Sequence, residues 1–221
     1  MTKGKRILLV IVSVLVVLVA ASYFYLFLGP KIRNADNTVV KGNPSTKSLI
    51  VYFTRSGVIT AEGNADFVSS ASLNIHDGVT EQAAYQLQKI TGADVFQVKS
   101  ARYYRNSFNG TAATALVREV FKTRPAIAAK PSDLDGYDVI YVGFPVWWFN
   151  APMEIGTFLE SYDLTGKTVV PFCTSQDNGI DVCMDFIRKV SGSATVLDGY
   201  RFNRSTDNDV IAWLNRIGIS I

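Results

Sequence analysis

Tyr137-Asp138-Val139-Ile140-Tyr141-Val142-Gly143-Phe144-Pro145-Val146-Trp147-Trp148-Phe149-Asn150-Ala151-Pro152 is the stretch that decides the fold. Its first half, Tyr137 to Gly143, is a β-branched and aromatic run short enough to be a strand buried on both faces. Its second half, Gly143 to Pro152, is a loop punctuated by Gly and Pro. Two adjacent tryptophans on such a loop are unusual, because indoles normally sit inside regular elements. Large flat rings at a strand end suit stacking on a flat heterocycle.

Outward from this strand the chain alternates between two periods. Ser48 to Phe53, Ala93 to Val98 and Lys167 to Cys173 read as further strands. A fifth begins at Ala194 to Leu197, with room to resume through Arg204. Between them, Val79 to Ile90, Thr111 to Lys122, Met153 to Tyr162 and Ile180 to Val190 carry apolar residues at helical spacing. Asp207 to Ile217 closes the chain as a helix, with Ser205 or Thr206 as its cap. Strands separated by helices imply right-handed crossovers and a parallel sheet. The expected fold is α/β, a doubly wound five-stranded parallel sheet in the order 2-1-3-4-5. In such a sheet a ligand lies beyond the carboxyl ends of the strands, where the strand order reverses.

Three loops meet there. After the first strand comes Thr54-Arg55-Ser56-Gly57, with the hydroxyls, glycine and backbone N–H groups that suit a phosphate. Residues 57–77 are unusually long for a connection in a compact domain. They precede Gly78-Val79-Thr80-Glu81, which opens the next helix. Thr54 and Ser56 are expected to meet Thr80. Arg55 is the candidate for positive charge at a phosphate, and His76 a lesser one. After the fourth strand, Cys173-Thr174-Ser175-Gln176-Asp177-Asn178-Gly179 offers small polar groups to the edge of a ring. Tyr103 and Tyr104 follow the second strand, where they could border the pocket, and a surface role is the favoured expectation.

Taken together these loops resemble the flavodoxin-like FMN-binding family, in its variant with a long insertion in the phosphate loop. The resemblance covers residues 48 to about 217. Thr54-x-Ser56-Gly57 is similar to the start of the family's phosphate loop, and Gly78-Val79-Thr80-Glu81 to its completion, with Val79 in place of Asn. Gly143-x-Pro145-x-Trp147-Trp148, Pro152 and Phe158-Leu159-Glu160 resemble the loop and helix after the third strand. Gly166-Lys167 and Phe172-Cys173-Thr174 resemble the fourth strand. The resemblance implies FMN as cofactor. Its phosphate would sit with Thr54, Arg55, Ser56, Val79 and Thr80, and its ring against Trp147 or Trp148. Pro145 and Val146 would offer backbone groups to the ring edge, with Thr174 and Ser175 closing the other side. Asp177, if turned inward, would lower the flavin's potential. The flavin would carry the chemistry, so no catalytic side chain is named.

The chain has 221 residues and a formal charge of +3, spread unevenly. Residues 1–47 hold seven Lys and Arg against one Asp. The remainder holds fifteen against eighteen, a net of −3. The basic charge is outside the domain, so nucleic-acid binding lacks a basic face. A single histidine excludes a His-rich metal site within one chain, and Cys173 and Cys183 lack metal spacing. Ile7 to Leu28 is apolar apart from two serines, long enough to cross a bilayer as a helix, with Tyr23 and Tyr25 near its end. Residues 1–29 are expected to anchor the chain, 30–47 to form a polar linker and 48–221 the domain. A cleaved signal peptide is the alternative reading. The short basic start places the domain outside the cytoplasm.

Three functions follow from the resemblance. One is an FMN-dependent oxidoreductase acting on a quinone or similar small acceptor. Another is a one-electron carrier, and a third is a binding module of the same fold without flavin. A nicotinamide nucleotide or a redox protein would supply electrons to the first two. Carriers of this fold tend to be strongly acidic, and −3 is mild, which favours the oxidoreductase.

Overall fold

The computed structural model describes residues 3–27, 38–54, 78–102, 104 and 108–220. Helix α1 (Lys3–Phe27) precedes an alternating series. It runs β1 (Ser48–Phe53), α2 (Val79–Thr91), β2 (Asp94–Val98), α3 (Phe108–Val120), β3 (Val139–Pro145), α4 (Met153–Leu159) and β4 (Thr168–Thr174). Helix α5 (Asp181–Val190), β5 (Thr195–Val196), β6 (Tyr200–Phe202) and α6 (Asp207–Arg216) complete it. The sheet order is β2-β1-β3-β4-β5, with every pairing parallel and β6 also on β4. Strands β5 and β6 are two halves of one strand position. Thr168 and Val169 pair with the first, and Phe172 to Thr174 with the second. This is the expected doubly wound sheet.

Alternation along each strand feeds two cores. Leu49, Val51, Phe53, Ile140, Val142, Phe144 and Val169 pack under α4 and α5. Ile50, Tyr52, Tyr141, Val170 and Phe172 pack under α2 and α6. Burial on both faces explains why these strands read as unbroken apolar runs. Gly143 is required inside β3 because a Cβ there would lie 2.2 Å from the Phe172 ring. Gly92 ends α2 in the left-handed region, φ 69°, which a glycine adopts without a side-chain clash. Helix α6 begins with Thr206, whose hydroxyl accepts from Asp209 N–H while the Asp209 carboxylate accepts from Thr206 N–H.

Two segments differ from the sequence reading. The end of the segment expected as a linker is docked: Val40 forms an antiparallel bridge with Val95 on the outer edge of β2. Lys41 Nζ lies 2.7 Å from Asp94, which also accepts from Gly42 N–H and Tyr137 Oη. Burial pushes the Asp94 carboxyl up, but these donors outweigh it and hold it below the usual range. The docked stretch covers one otherwise unpaired sheet edge. Helix α4 ends at Leu159, three residues early, where Arg124 takes both carboxylate oxygens of Glu160.

Helix α1 spans 25 residues, about 37 Å at 1.5 Å per residue. Residues 3–22 are exposed on every side. It is long and apolar enough to cross a membrane, and a signal sequence shares that property.

Candidate functional site

The carboxyl ends of β1, β3 and β4 lie side by side. Pro145 pairs with Thr174, and Tyr52 with Gly143, so Thr54 and Pro145 each lie two residues beyond that pair. Thr54, Thr80 and Thr174 are 1 %, 0 % and 0 % exposed. Thr80 Oγ1 and Thr174 Oγ1 are 2.7 Å apart, tying the start of α2 to the end of β4. Two buried hydroxyls, from α2 and β4, therefore meet at the carboxyl edge of the sheet, and a third buried threonine, Thr54, directly follows β1 at the same edge. Gly78 precedes α2 and provides no side chain to cap its first-turn N–H groups. A helix start of this kind suits an anion, because first-turn N–H groups have no acceptor within their own helix. Glu81 in the same turn accepts from Tyr52 Oη at 2.9 Å. Val79 is 39 % exposed and turns away from the core.

The loop after β3 separates the two indoles. Val146 N–H donates to Thr174 O at 3.0 Å, fastening the loop to β4. Trp147 and Asn150 exchange backbone bonds of 2.8 and 3.0 Å, enclosing a two-residue turn. Its central residues, Trp148 and Phe149, have φ of 49° and 59°. Such a turn is ordinarily built from Asn and Gly, and two bulky aromatics in the left-handed region are strained. The turn persists because it is held on both sides. Trp148 Nε1 donates to Ala112 O on α3 at 2.8 Å, and Asn150 Nδ2 to Glu119 Oε2 at 3.1 Å. Trp147 turns inward, edge-on to Phe53 and Tyr104 with both centroids at 5.5 Å. Trp148 stays 45 % exposed. Of the two indoles, Trp148 is the one whose face remains available.

A buried charged cluster beneath Trp147 was missed by the sequence reading. Glu154 is fully buried at the start of α4, and Arg118 on α3 is 6 % exposed. Glu154 Oε1 accepts from Arg118 Nη1 at 2.5 Å and from Tyr104 Oη at 2.7 Å. Arg118 also donates to Tyr104 Oη and lies over its ring, 4.6 Å from the centroid. Tyr104 is thus a half-buried pillar, not the surface residue expected. Burial, then the Glu154 charge, pushes its phenol well above the usual range. Burial lowers the Arg118 value, but Glu154 and Tyr104 together outweigh it and the net shift is upward. One signal was available: Arg118 lies three residues after Ala115 and four after Thr114, on the buried face of α3.

On the β4 side, Ser175 Oγ accepts from Asn178 N–H at 3.0 Å and so orders its own loop. Asp177 is exposed. Cys173 and Cys183 are buried free thiols, with burial pushing Cys173 up to about 12. Arg55, Ser56, His76 and Tyr103 lie outside the described residues.

A family model described as Flavodoxin matches residues 69–217. A provisionally assigned flavoprotein from Bacteroides eggerthii is similar in structure, with 29 % identity and a TM-score of 0.64. The match covers 80 % of this chain and all of the other. A second, from Bacteroides uniformis, has 28 % identity and a TM-score of 0.62 over 77 % and 98 % of the two chains. A flavoprotein from Lactobacillus acidophilus, solved in complex with FMN, shares the fold at 21 % identity and a TM-score of 0.56. That match spans 76 % of this chain and 99 % of the other. No curated protein matches the chain.

Proposed function

The chain belongs to the flavodoxin family, and from that membership we propose that it binds FMN and acts as a membrane-tethered reductase of a quinone or similar small acceptor. One observation carries this reading. The buried hydroxyls of Thr80 and Thr174 meet at the start of a helix that opens on glycine, with buried Thr54 at the end of β1 and an exposed indole on the loop after β3. That donor set fits a phosphorylated, flat heterocycle.

Thr54, Thr80 and the α2 N-terminus would hold the phosphate, with Arg55 and Ser56 completing that loop. Trp148 would cover the ring. Trp147 is committed to Phe53 and Tyr104, so its part is to set the height of the turn. Thr174 and Ser175 would border the polar edge. Val146 N–H is already engaged with Thr174 O, which leaves the Pro145 and Val146 carbonyls as the backbone groups at that edge. Bound FMN would supply the hydride and electron chemistry. The protein's own contribution is to anchor the phosphate, orient the ring and exclude water from one face of it. A nicotinamide nucleotide or a redox protein would donate the electrons. The mild charge of the domain favours a small acceptor over a protein one.

The test is the absorption spectrum of the full chain purified in detergent. Flavin bands near one equivalent per chain are expected, bleached by a nicotinamide donor and restored by a quinone. A colourless protein that takes up no added FMN refutes the proposal. Flavin that is reduced but passes electrons only to a protein refutes the reductase and leaves a carrier.

A further inference from the structure

The exposed apolar side chains of the domain are unevenly placed. Nine large ones are exposed among the described residues after α1, and five of them share one region: Leu116, Val120, Phe121, Trp148 and Phe149. Ala112, Leu116 and Val120 are spaced by four and lie along one face of α3. The bond from Trp148 Nε1 to Ala112 O sets the β3 turn on the start of that face. Phe121 and Phe149, at 73 % and 64 % exposure, stand further into solvent than any other large apolar residue described on the domain. Large exposed apolar side chains gathered on one helix and on the turn set against it mark an interaction site.

What covers it is indicated by α1. Among the domain's elements, α3 is the one that α1 approaches most extensively. The helix able to cross a bilayer therefore comes nearest the domain at α3, the helix that also carries Leu116 and Val120. Aromatic rings favour the headgroup region of a bilayer, where an apolar body can sit beside polar groups. We infer that the face formed by Leu116, Val120, Phe121 and Phe149 rests on the bilayer that α1 crosses. The turn after β3 then opens toward lipid, and the acceptor class served is one dissolved in the membrane. The last step rests on the proposed FMN site and on α1 as an anchor; the surface itself does not need FMN.

Tryptophan fluorescence tests this, because α1 contains no tryptophan and the native ones are Trp147, Trp148 and Trp213. The full chain is placed in phosphatidylcholine vesicles with ordinary or bromine-substituted acyl chains. Emission is read as the ratio between the two lipids, so bound flavin cancels. Phe121→Trp adds a probe on the patch. Tyr85→Trp adds one on α2, across the sheet and 42 % exposed. The expected result is a loss of half or more of the added Phe121→Trp emission in brominated lipid, with Tyr85→Trp unchanged. Equal responses from the two probes overturn the proposal and leave the patch to a protein partner. A chain that fails to float with the vesicles removes the anchor and the proposal together. Absorbance of the same vesicles reports the flavin separately: a quenched but colourless protein keeps the bilayer seat and sinks the FMN reading.

Discussion

The two faces of the sheet are built by different rules. On the side of α2 and α6, local preference and tertiary structure agree. Gly92 closes α2 where a left-handed residue is needed, Thr206 and Asp209 cap α6 reciprocally, and Trp213 is buried with its N–H on Asp198 O. On the side of α3 and α4 they conflict. Of the four non-glycine residues with positive φ among those described, Lys122, Trp148 and Phe149 lie here. An ion pair is buried here, and the largest apolar groups are exposed. Strain and buried charge persist only where surrounding contacts over-determine them, and they gather where a protein does its work. The second face therefore carries the strain and the buried charge around the loop after β3, while the first contributes the more regular packing together with Thr80 at the start of α2.

The sharpest way to break this contrast is at the buried pair. Glu154→Gln leaves Arg118 charged in an apolar setting and should lower unfolding free energy by about 3–5 kcal/mol. Thr206→Ala on the other face should cost about 1 kcal/mol. Comparable losses in denaturant titrations would erase the distinction.

The two indoles come next. Trp147→Ala should cost about 2 kcal/mol of stability, since it removes a half-buried support of Phe53 and Tyr104. Trp148→Ala should shift stability by about 0.5 kcal/mol or less and weaken FMN binding about tenfold, measured by flavin fluorescence. The opposite assignment would place the ring on Trp147.

The docked segment on β2 should respond to acid. The Asp94 carboxyl is held below its ordinary value in the folded protein, so its contribution is complete above about pH 4. It is lost as pH falls through the folded value. Asp94→Asn should cost about 1–2 kcal/mol, flatten that acid limb and expose residues 38–47 to protease at neutral pH. An unchanged cleavage pattern would show that the Val40–Val95 bridge suffices alone.

The smallest effect is expected at the turn. Phe149→Gly relieves a left-handed phenylalanine, offset partly by the flexibility glycine gives the unfolded chain. The net should be a gain of about 0.5 kcal/mol. A loss in the denaturant midpoint would mean that the ring is a structural contact after all.

Much of this was legible in the sequence where one local signal dominated. Strand β1 was read residue for residue, because Ser48 to Phe53 is buried along its whole length and bounded by polar residues. The fifth strand position was seen as interrupted, because Asp198 and Gly199 break it. Thr54, Thr80 and Thr174 were chosen as strand-end or helix-start hydroxyls, and Thr80 and Thr174 are in contact. The indoles were not separable. Adjacent residues on a loop have no period to say which turns inward, and the choice fell to Phe53 and Tyr104. Tyr104 itself was misread because its partners, Arg118 and Glu154, are 14 and 50 residues away.

The sequence by itself determined the order of strands and helices, the apolar span at the start and the loops that meet at the sheet's carboxyl edge. Each of these depends on periodicity within a dozen residues. Only the tertiary structure decided that the linker's end binds β2, that Trp147 is a support while Trp148 stays open, and that an ion pair lies beneath them. Those outcomes are set by contacts between distant segments, whose energies no local pattern encodes.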